Sequence, residues 1–266
     1  MGPAEAVAIF GAGMAAGAIN AIVGSGSLIT FPTLLAFGFP PVVANVSNNV
    51  GLVPGNVSGA WGYRRELAGQ RGRLVRLGLF SVAGSLAGAI ALLSLPSGSF
   101  QGIVSVLILI ACVLVLIQPR LNSWIAARRQ RQAESAGPGA GAKDGQGTET
   151  TSPVLAGGVF GAAVYGGYFG AAQGVLVIGL LGSFLDEPLQ RVNAGKNVLV
   201  ALVNGTAAIV YIIFAHVAWL VVVLIAAGST LGGLIGARYG RRLPPFALRL
   251  FVVAIGIVSV IKLIVF

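Results

Sequence analysis

Gly17-Ala-Ile-Asn20-Ala-Ile-Val-Gly24-Ser25-Gly26-Ser27 opens a segment that continues through an apolar run to Gly38-Phe39-Pro40 and on to Asn45-Val-Ser47-Asn48-Asn49. Small hydroxyl residues and four asparagines thus sit inside sequence apolar enough for a bilayer. A second copy lies in the other half of the chain. Adding 148 to each number takes Gly26 to Gly174, Pro40 to Pro188, Asn45 to Asn193, Asn49 to Asn197 and Asn56 to Asn204. The same shift carries on without a gap, from Ser81 to Ser229, Gly84 to Gly232, Gly88 to Gly236 and Pro96 to Pro244. The chain is an internal duplication.

Outward from this segment, composition sets the solvent. Of the 266 residues 56% are hydrophobic and only 9% charged, where soluble chains carry about a quarter charged residues. Several windows exceed the ~18 apolar residues that mark a membrane helix, so the expected class is an all-α polytopic membrane protein. The net charge of +10 sits in clusters between apolar spans, which the positive-inside bias explains without nucleic acid. The single Cys112 lies in an apolar span, which excludes a disulfide framework or a thiolate metal site. The N-terminus has no basic n-region and reads as part of the repeat, not as a signal peptide.

A continuous helix over Glu5 to Gly38 would be about 50 Å long, against a hydrocarbon core of ~30 Å. The spacing therefore predicts a helix that breaks at Gly24–Ser27, with a short second helix returning toward its own side. Such a re-entrant hairpin survives only where protein or a watery cavity covers its open backbone. Full spans are expected over about Pro41–Tyr63, Leu74–Leu95 and Phe100–Ile117. In the second half a segment over Val154–Leu185, broken at Gln173-Gly174, precedes spans at Gln190–Ala215, Trp219–Ala237 and Pro245–Phe266. Residues 1–118 form the first repeat and 153–266 the second. Residues 119–152, rich in Arg, Gln, Gly and Ser, read as a flexible basic linker.

Loop charges orient the halves. Arg64–Arg76 and the linker are both basic, so both are expected on the cytoplasmic side. The duplicate of the first loop, around Ile212–Leu224, has no Lys or Arg, whereas the duplicate of uncharged Leu92–Gln101 carries Arg241, Arg242 and Arg249. Basic and neutral loops swap between copies, which predicts two inverted-topology repeats. Inversion needs an odd number of crossings per half, met by a broken hairpin plus three transmembrane helices.

Inverted repeats with broken helices are the architecture of secondary transporters, with substrate held where the breaks meet. Free N–H groups and the positive dipole end at a helix start suit an anion. The candidate substrate-binding residues are Asn20, Gly24, Ser25, Gly26, Ser27, Asn45, Asn48 and Asn49 in the first copy, and Gln173, Gly174, Asn193, Lys196 and Asn197 in the second. Glycines admit a ligand to the backbone, hydroxyls and amides donate, and Lys196, which stands where the first copy has Asn48, adds positive charge. Lys196 has two other readings, snorkelling to the interface or pairing with Asp186 or Glu187. Asn56 and Asn204 read equally as bonds between helices. Glycines at every fourth position, as in Gly84/Gly88 and Gly232/Gly236, read as packing faces. No acidic residue falls in a span interior, which favours an anion over a metal cation.

Gly-Ala-Ile-Asn20-Ala-Ile-Val-Gly24-Ser-Gly-Ser27-Leu-Ile-Thr-Phe-Pro32 with Ala44-Asn45-Val-Ser-Asn-Asn49-Val-Gly51 resembles the first half of the sulfite exporter TauE/SafE family. The likeness extends to the length, the duplicated halves and the basic middle linker. It implies transport of sulfur-containing anions such as sulfite, sulfonates or organosulfur acids across the bacterial inner membrane. The partners expected are a small anion and the bilayer, with a homo-oligomer left open; no nucleic acid, cofactor or metal is expected.

Gly11-x-Gly13-x-x-Ala16 imitates a dinucleotide fingerprint but lacks a βαβ context. One histidine and no buried carboxylate leave no hydrolytic or metal-binding set, so an enzyme is not expected. An anion channel of the same fold is the alternative to a carrier.

The swapped charges make a prediction about sidedness. In a background lacking Cys112, a cysteine in the Arg64–Arg76 loop and Gly240→Cys are labelled only from the cytoplasm, and Ser97→Cys only from outside. Labelling of Ser97→Cys and Gly240→Cys from one side would contradict the inversion.

Overall fold

The computed structural model describes residues 1–135, 152–239 and 253–254. Its described elements are helices: α1 (Pro3–Ile22), α2 (Ser27–Ala36), α3 (Pro41–Gly62), α4 (Arg71–Ser94), α5 (Ser97–Ser135), α6 (Pro153–Tyr168), α7 (Gln173–Phe184), α8 (Leu189–Phe214) and α9 (Trp219–Tyr239). No strand occurs among the described residues. The expected final span, Pro245–Phe266, lies outside them apart from Val253 and Ala254, as does the stretch from residue 136 to 151.

Both segments break. The first break falls between α1 and α2 at Val23–Gly26, close to the expected Gly24–Ser27. The second lies between α6 and α7 at Phe169–Ala172, ahead of the expected Gln173-Gly174, which instead begin α7. After the first break the chain doubles back, because a Cβ on Gly26 would run into the Ala16 carbonyl of α1. At 20 residues α1 is about 30 Å long, enough to cross a core by itself.

Among the described residues five helices are long and apolar enough to cross a membrane: α1, α4, the Gly102–Arg128 part of α5, α8 and the Trp219–Arg238 part of α9. The chain is a multi-pass membrane protein. Helix α3 has the length, 22 residues, but its four asparagines take it out of the apolar class. It is instead an interior helix, with Asn45, Asn48, Asn49 and Asn56 all buried.

Fourth-position glycines set the packing. Gly84 and Gly88 of α4 lie on the Phe160 and Val164 carbonyls of α6, while Gly232 and Gly236 of α9 lie on the Met14 and Ala18 carbonyls of α1. The shift of 148 that relates α4 to α9 also relates α1 to α6. Each half therefore supplies the glycine face for the other half's broken helix. Helix α3 adds a further seam on α9, where Ser229 Oγ donates to the Gly51 carbonyl at 3.1 Å.

One element departs from expectation. Helix α5 does not stop at Ile117 but continues through Pro119 to Ser135, 39 residues in all. Part of the stretch read as flexible linker is thus helical. Leu121 packs where Gly179 of α7 has no side chain, and Arg128 donates to the Ser183 carbonyl near the end of α7 at 2.8 Å. A contact to the other half, beyond reach of local composition, keeps the helix going.

The glycine faces predict a graded response. Gly88→Val and Gly232→Val force side chains into facing backbone and lower stability by about 1–3 kcal/mol. Gly161→Ala on the same α6 meets open space and leaves the melting temperature of detergent-purified protein unchanged or raised.

Candidate functional site

A broken helix inside a membrane leaves terminal C=O and N–H groups that no water satisfies. Their partners define the site. At the end of α1 the Ala21 carbonyl accepts from Asn193 Nδ2 at 3.1 Å, Asn197 Nδ2 at 3.3 Å and Lys196 Nζ at 3.5 Å. The Asn20 carbonyl takes the shorter bond from Lys196 Nζ, 2.7 Å. All three donors come from successive turns of α8. At the end of α6 the roles reverse between halves: the Tyr168 carbonyl accepts from Asn45 Nδ2 of α3 at 3.0 Å. Tyr211 OH caps the Gly167 carbonyl, and Tyr165 OH the Ala171 carbonyl at 2.7 Å. The asparagine at the start of each long helix thus caps the broken helix of the other repeat.

The two breaks meet at their glycines. Gly174 N–H donates to the Gly24 carbonyl at 3.1 Å. A Cβ on Gly24 would sit 2.5 Å from the Gly174 Cα. Gly24 also has φ of 86°, and its duplicate Ala172 has φ of 58°. Both breaks therefore use a left-handed residue at the same repeat position, which glycine adopts freely and alanine only with strain.

Asn20 ties the first break together. Its Oδ1 accepts from Gly26 N–H at 2.7 Å and its Nδ2 donates to Asn56 Oδ1 at 3.1 Å. Asn48 Oδ1 accepts from Thr30 Oγ1, joining α3 to α2. Asn49 Nδ2 reaches Asn204 Oδ1 at 3.4 Å. Ser27 begins α2 and is buried. Lys196 is fully buried; its stem passes Gly174, since a Cβ there would lie 3.1 Å from Lys196 Cδ. It does not pair with the neighbouring acids: Glu187 holds Arg73 at 2.9 Å and Arg191 at 3.6 Å.

Several buried polar atoms have no hydrogen-bond partner among the described residues. They include Ser25 Oγ, both amide atoms of Gln173, Asn49 Oδ1, Asn193 Oδ1 and Asn56 Nδ2. Ser25 and Gln173 occupy the same repeat position, one residue after Gly24 and Ala172 respectively. Unpaired buried polar groups are costly, and these flank the contact between the breaks. Most of the predicted asparagines therefore use their donors on protein, while Ser25 and Gln173 do not.

Sequence reasoning missed Gln118, whose Nε2 donates to the Val23 carbonyl at 3.2 Å. The only signal was a single amide at the end of the apolar Phe100–Ile117 run. It also missed the capping tyrosines, Tyr165 and Tyr211, which read as ordinary aromatic residues.

The asymmetry at the left-handed positions is testable. Gly24→Ala meets both a clash and strain of ~1–2 kcal/mol and melts lower. Ala172→Gly stays within about 1 kcal/mol of wild type, because relief of strain offsets the greater freedom of the unfolded chain. Equal losses in both variants would contradict this geometry.

Comparison with known proteins adds context. The family model described as "Sulfite exporter TauE/SafE" matches residues 9–263. "Probable membrane transporter protein YfcA" of Escherichia coli K12 is 25% identical over 231 residues, covering 86% of this chain and 78% of that one. A "Probable membrane transporter protein" of Haemophilus influenzae Rd is 26% identical over 230 residues, 86% and 83% of the two chains. "Probable membrane transporter protein ORF9" of Sinorhizobium sp is 26% identical over 255 residues, 96% and 90%. No solved structure matches significantly.

Proposed function

Because the chain belongs to the sulfite exporter TauE/SafE family of membrane transporters, we propose that it is a secondary carrier of small sulfur-containing anions, working by alternating access in the bacterial inner membrane. The anion sits between the two breaks. The observation that carries this reading is the pair of buried, unpartnered side chains at duplicate positions, Ser25 and Gln173, beside the Gly24–Gly174 contact. Their hydroxyl and amide hydrogens are the free donors there, with Asn56 Nδ2 behind them. Asn49 Oδ1 and Asn193 Oδ1 add acceptors. A lining of both kinds suits an oxyanion that carries a donor of its own, such as bisulfite or an aminosulfonate. Lys196 contributes fixed positive charge, while its own N–H groups hold α1.

The backbone contact between Gly24 and Gly174 fills the space between the breaks, so a ligand enters only as they part. The exchange of caps between halves supports reading them as inverted repeats that move against each other. The Arg64–Arg76 loop and the linker take the cytoplasmic side in this reading.

The first test is a melting-temperature screen of purified protein against sulfite, sulfate, thiosulfate, taurine, sulfoacetate and simple carboxylates, since a ligand of the folded state stabilises it by mass action. Losing one hydrogen bond to a charged ligand costs about 1.5–3 kcal/mol, roughly ten- to a hundredfold in affinity. Ser25→Ala and Gln173→Met weaken the selected anion by such factors with little change in melting temperature. Asn193→Ala and Asn197→Ala lower the melting temperature instead, by uncapping Ala21. Intact affinity in both Ser25→Ala and Gln173→Met would overturn the site. Counterflow in proteoliposomes separates a carrier from a channel: a carrier exchanges labelled for unlabelled anion faster than it passes net current.

A further inference from the structure

Lys196 is the one charged side chain among the described residues that is fully buried, and its setting is unusual for a lysine. Its ammonium faces two backbone carbonyls, Asn20 O at 2.7 Å and Ala21 O at 3.5 Å. Those are the last carbonyls of a helix that ends inside the protein, where the dipole concentrates negative partial charge. The two carbonyls at this helix end form an oxygen cradle against the ammonium. The duplicate position in the first repeat holds neutral Asn48, and the duplicate helix end, α6, is capped by neutral groups from Asn45, Tyr165 and Tyr211. One broken helix is therefore capped by an amide and phenols, and the other by amides and a lysine.

In carriers built from broken helices, the C-terminal end of a half-helix is where a dissolved Na⁺ is coordinated. We propose that Lys196 is a tethered substitute for such an ion: its ammonium occupies a monovalent-cation site formed by the Asn20 and Ala21 carbonyls at the end of α1. The inference rests on the carrier reading for its relevance to transport, and it goes beyond that reading by assigning the site a cation. Two consequences follow. The wild-type protein needs no Na⁺, because the site is filled from within. The tethered group also cannot diffuse away, so it holds the end of α1 in every turnover, and its stem beside Gly174 keeps it at the point where the breaks touch.

Truncating the side chain should turn the tethered ion into an exchangeable one. Lys196→Ala leaves the oxygens in place and opens a space along the former stem. Lys196→Met keeps the volume and removes the charge. Melting temperatures are measured in detergent at constant ionic strength, with choline chloride replaced by NaCl, ammonium chloride or methylammonium chloride. The expected result is no cation effect in the wild type, stabilisation of Lys196→Ala by at least one of the small cations over choline, and no such effect in Lys196→Met. Where Lys196→Ala yields no folded protein in choline, its purification in methylammonium chloride is the equivalent rescue.

Three results would overturn the proposal. They are a wild type stabilised by Na⁺ over choline, a Lys196→Ala variant indifferent to all the cations, or rescue of Lys196→Met equal to that of Lys196→Ala. Anion transport in proteoliposomes is read alongside. Cation rescue of melting without any anion transport would sink the carrier reading and leave the cation site standing. Anion transport with no cation rescue would do the reverse.

Discussion

Two helices end in the middle of this protein, and a bilayer offers their last carbonyls no water. That constraint explains more of the structure than any apolar contact does. Each unsatisfied group in hydrocarbon costs several kcal/mol, so each helix end must be met by side chains brought from elsewhere. Asn193, Lys196 and Asn197 of α8 meet the end of α1, and Asn45 of α3 meets the end of α6. The other repeat supplies these donors, while Gln118, Tyr165 and Tyr211 add bonds to the breaks from within the same half. The two halves are thereby interlocked at their least soluble points. The glycine faces of α4 and α9 complete the interlock by drawing the backbones of α6 and α1 close enough for those short side chains to reach.

Duplication supplied two copies of one solution, and divergence has since separated them. The left-handed residue is Gly24 in one copy and Ala172 in the other. Ser25 became Gln173, Asn20 corresponds to Tyr168, and Asn48 to Lys196. These changes compensate each other. Tyr168 offers no amide to bridge its break as Asn20 does, and two other tyrosines cap α6 in its place. The long Gln173 side chain lies where Gly166 has no Cβ to obstruct it. The first break is thus held by an amide bridge and a cation, the second by phenol caps. A symmetric plan has become a junction with distinct sides.

Much of this was legible in the sequence. The breaks were, because Gly-Ser-Gly-Ser and a helix too long for a bilayer point to one place, and the shift of 148 transfers that reading to the second half. The importance of Asn45, Asn193, Lys196 and Asn197 was legible too, since amides and a cation in an apolar span demand partners. What those partners were was not. An asparagine that caps a helix and one that binds an anion look identical in one dimension; only the position of the Ala21 carbonyl distinguishes them. The pairing of Glu187 with Arg73 joins residues 114 apart, so Lys196 looked the nearer partner by sequence. The length of α5 was hidden as well, because Pro119 and the basic composition after it argue for a helix end, while the contacts of Leu121 and Arg128 with α7 argue otherwise.

Charge and neutral polarity divide the work between them. The connection before α4 is tied to the other half by Gln70, which donates to the Arg191 carbonyl at 3.2 Å, and by the partly exposed Arg73–Glu187 pair. The duplicate connection, before α9, is tied by one neutral bond from Ala218 N–H to Ser47 Oγ at 2.9 Å. Partly exposed ion pairs contribute only about 0–1 kcal/mol and weaken with salt, so the ionic seam does not hold markedly harder than the neutral one. What the arginines around it do supply is a sign, and a bilayer reads that sign as orientation. Cohesion then falls to glycine faces and amide caps, which are equally strong whichever way the protein faces. Lys196 is the exception, an ionisable side chain buried for cohesion, and the helix end it serves offers it carbonyls that carry the negative end of the dipole.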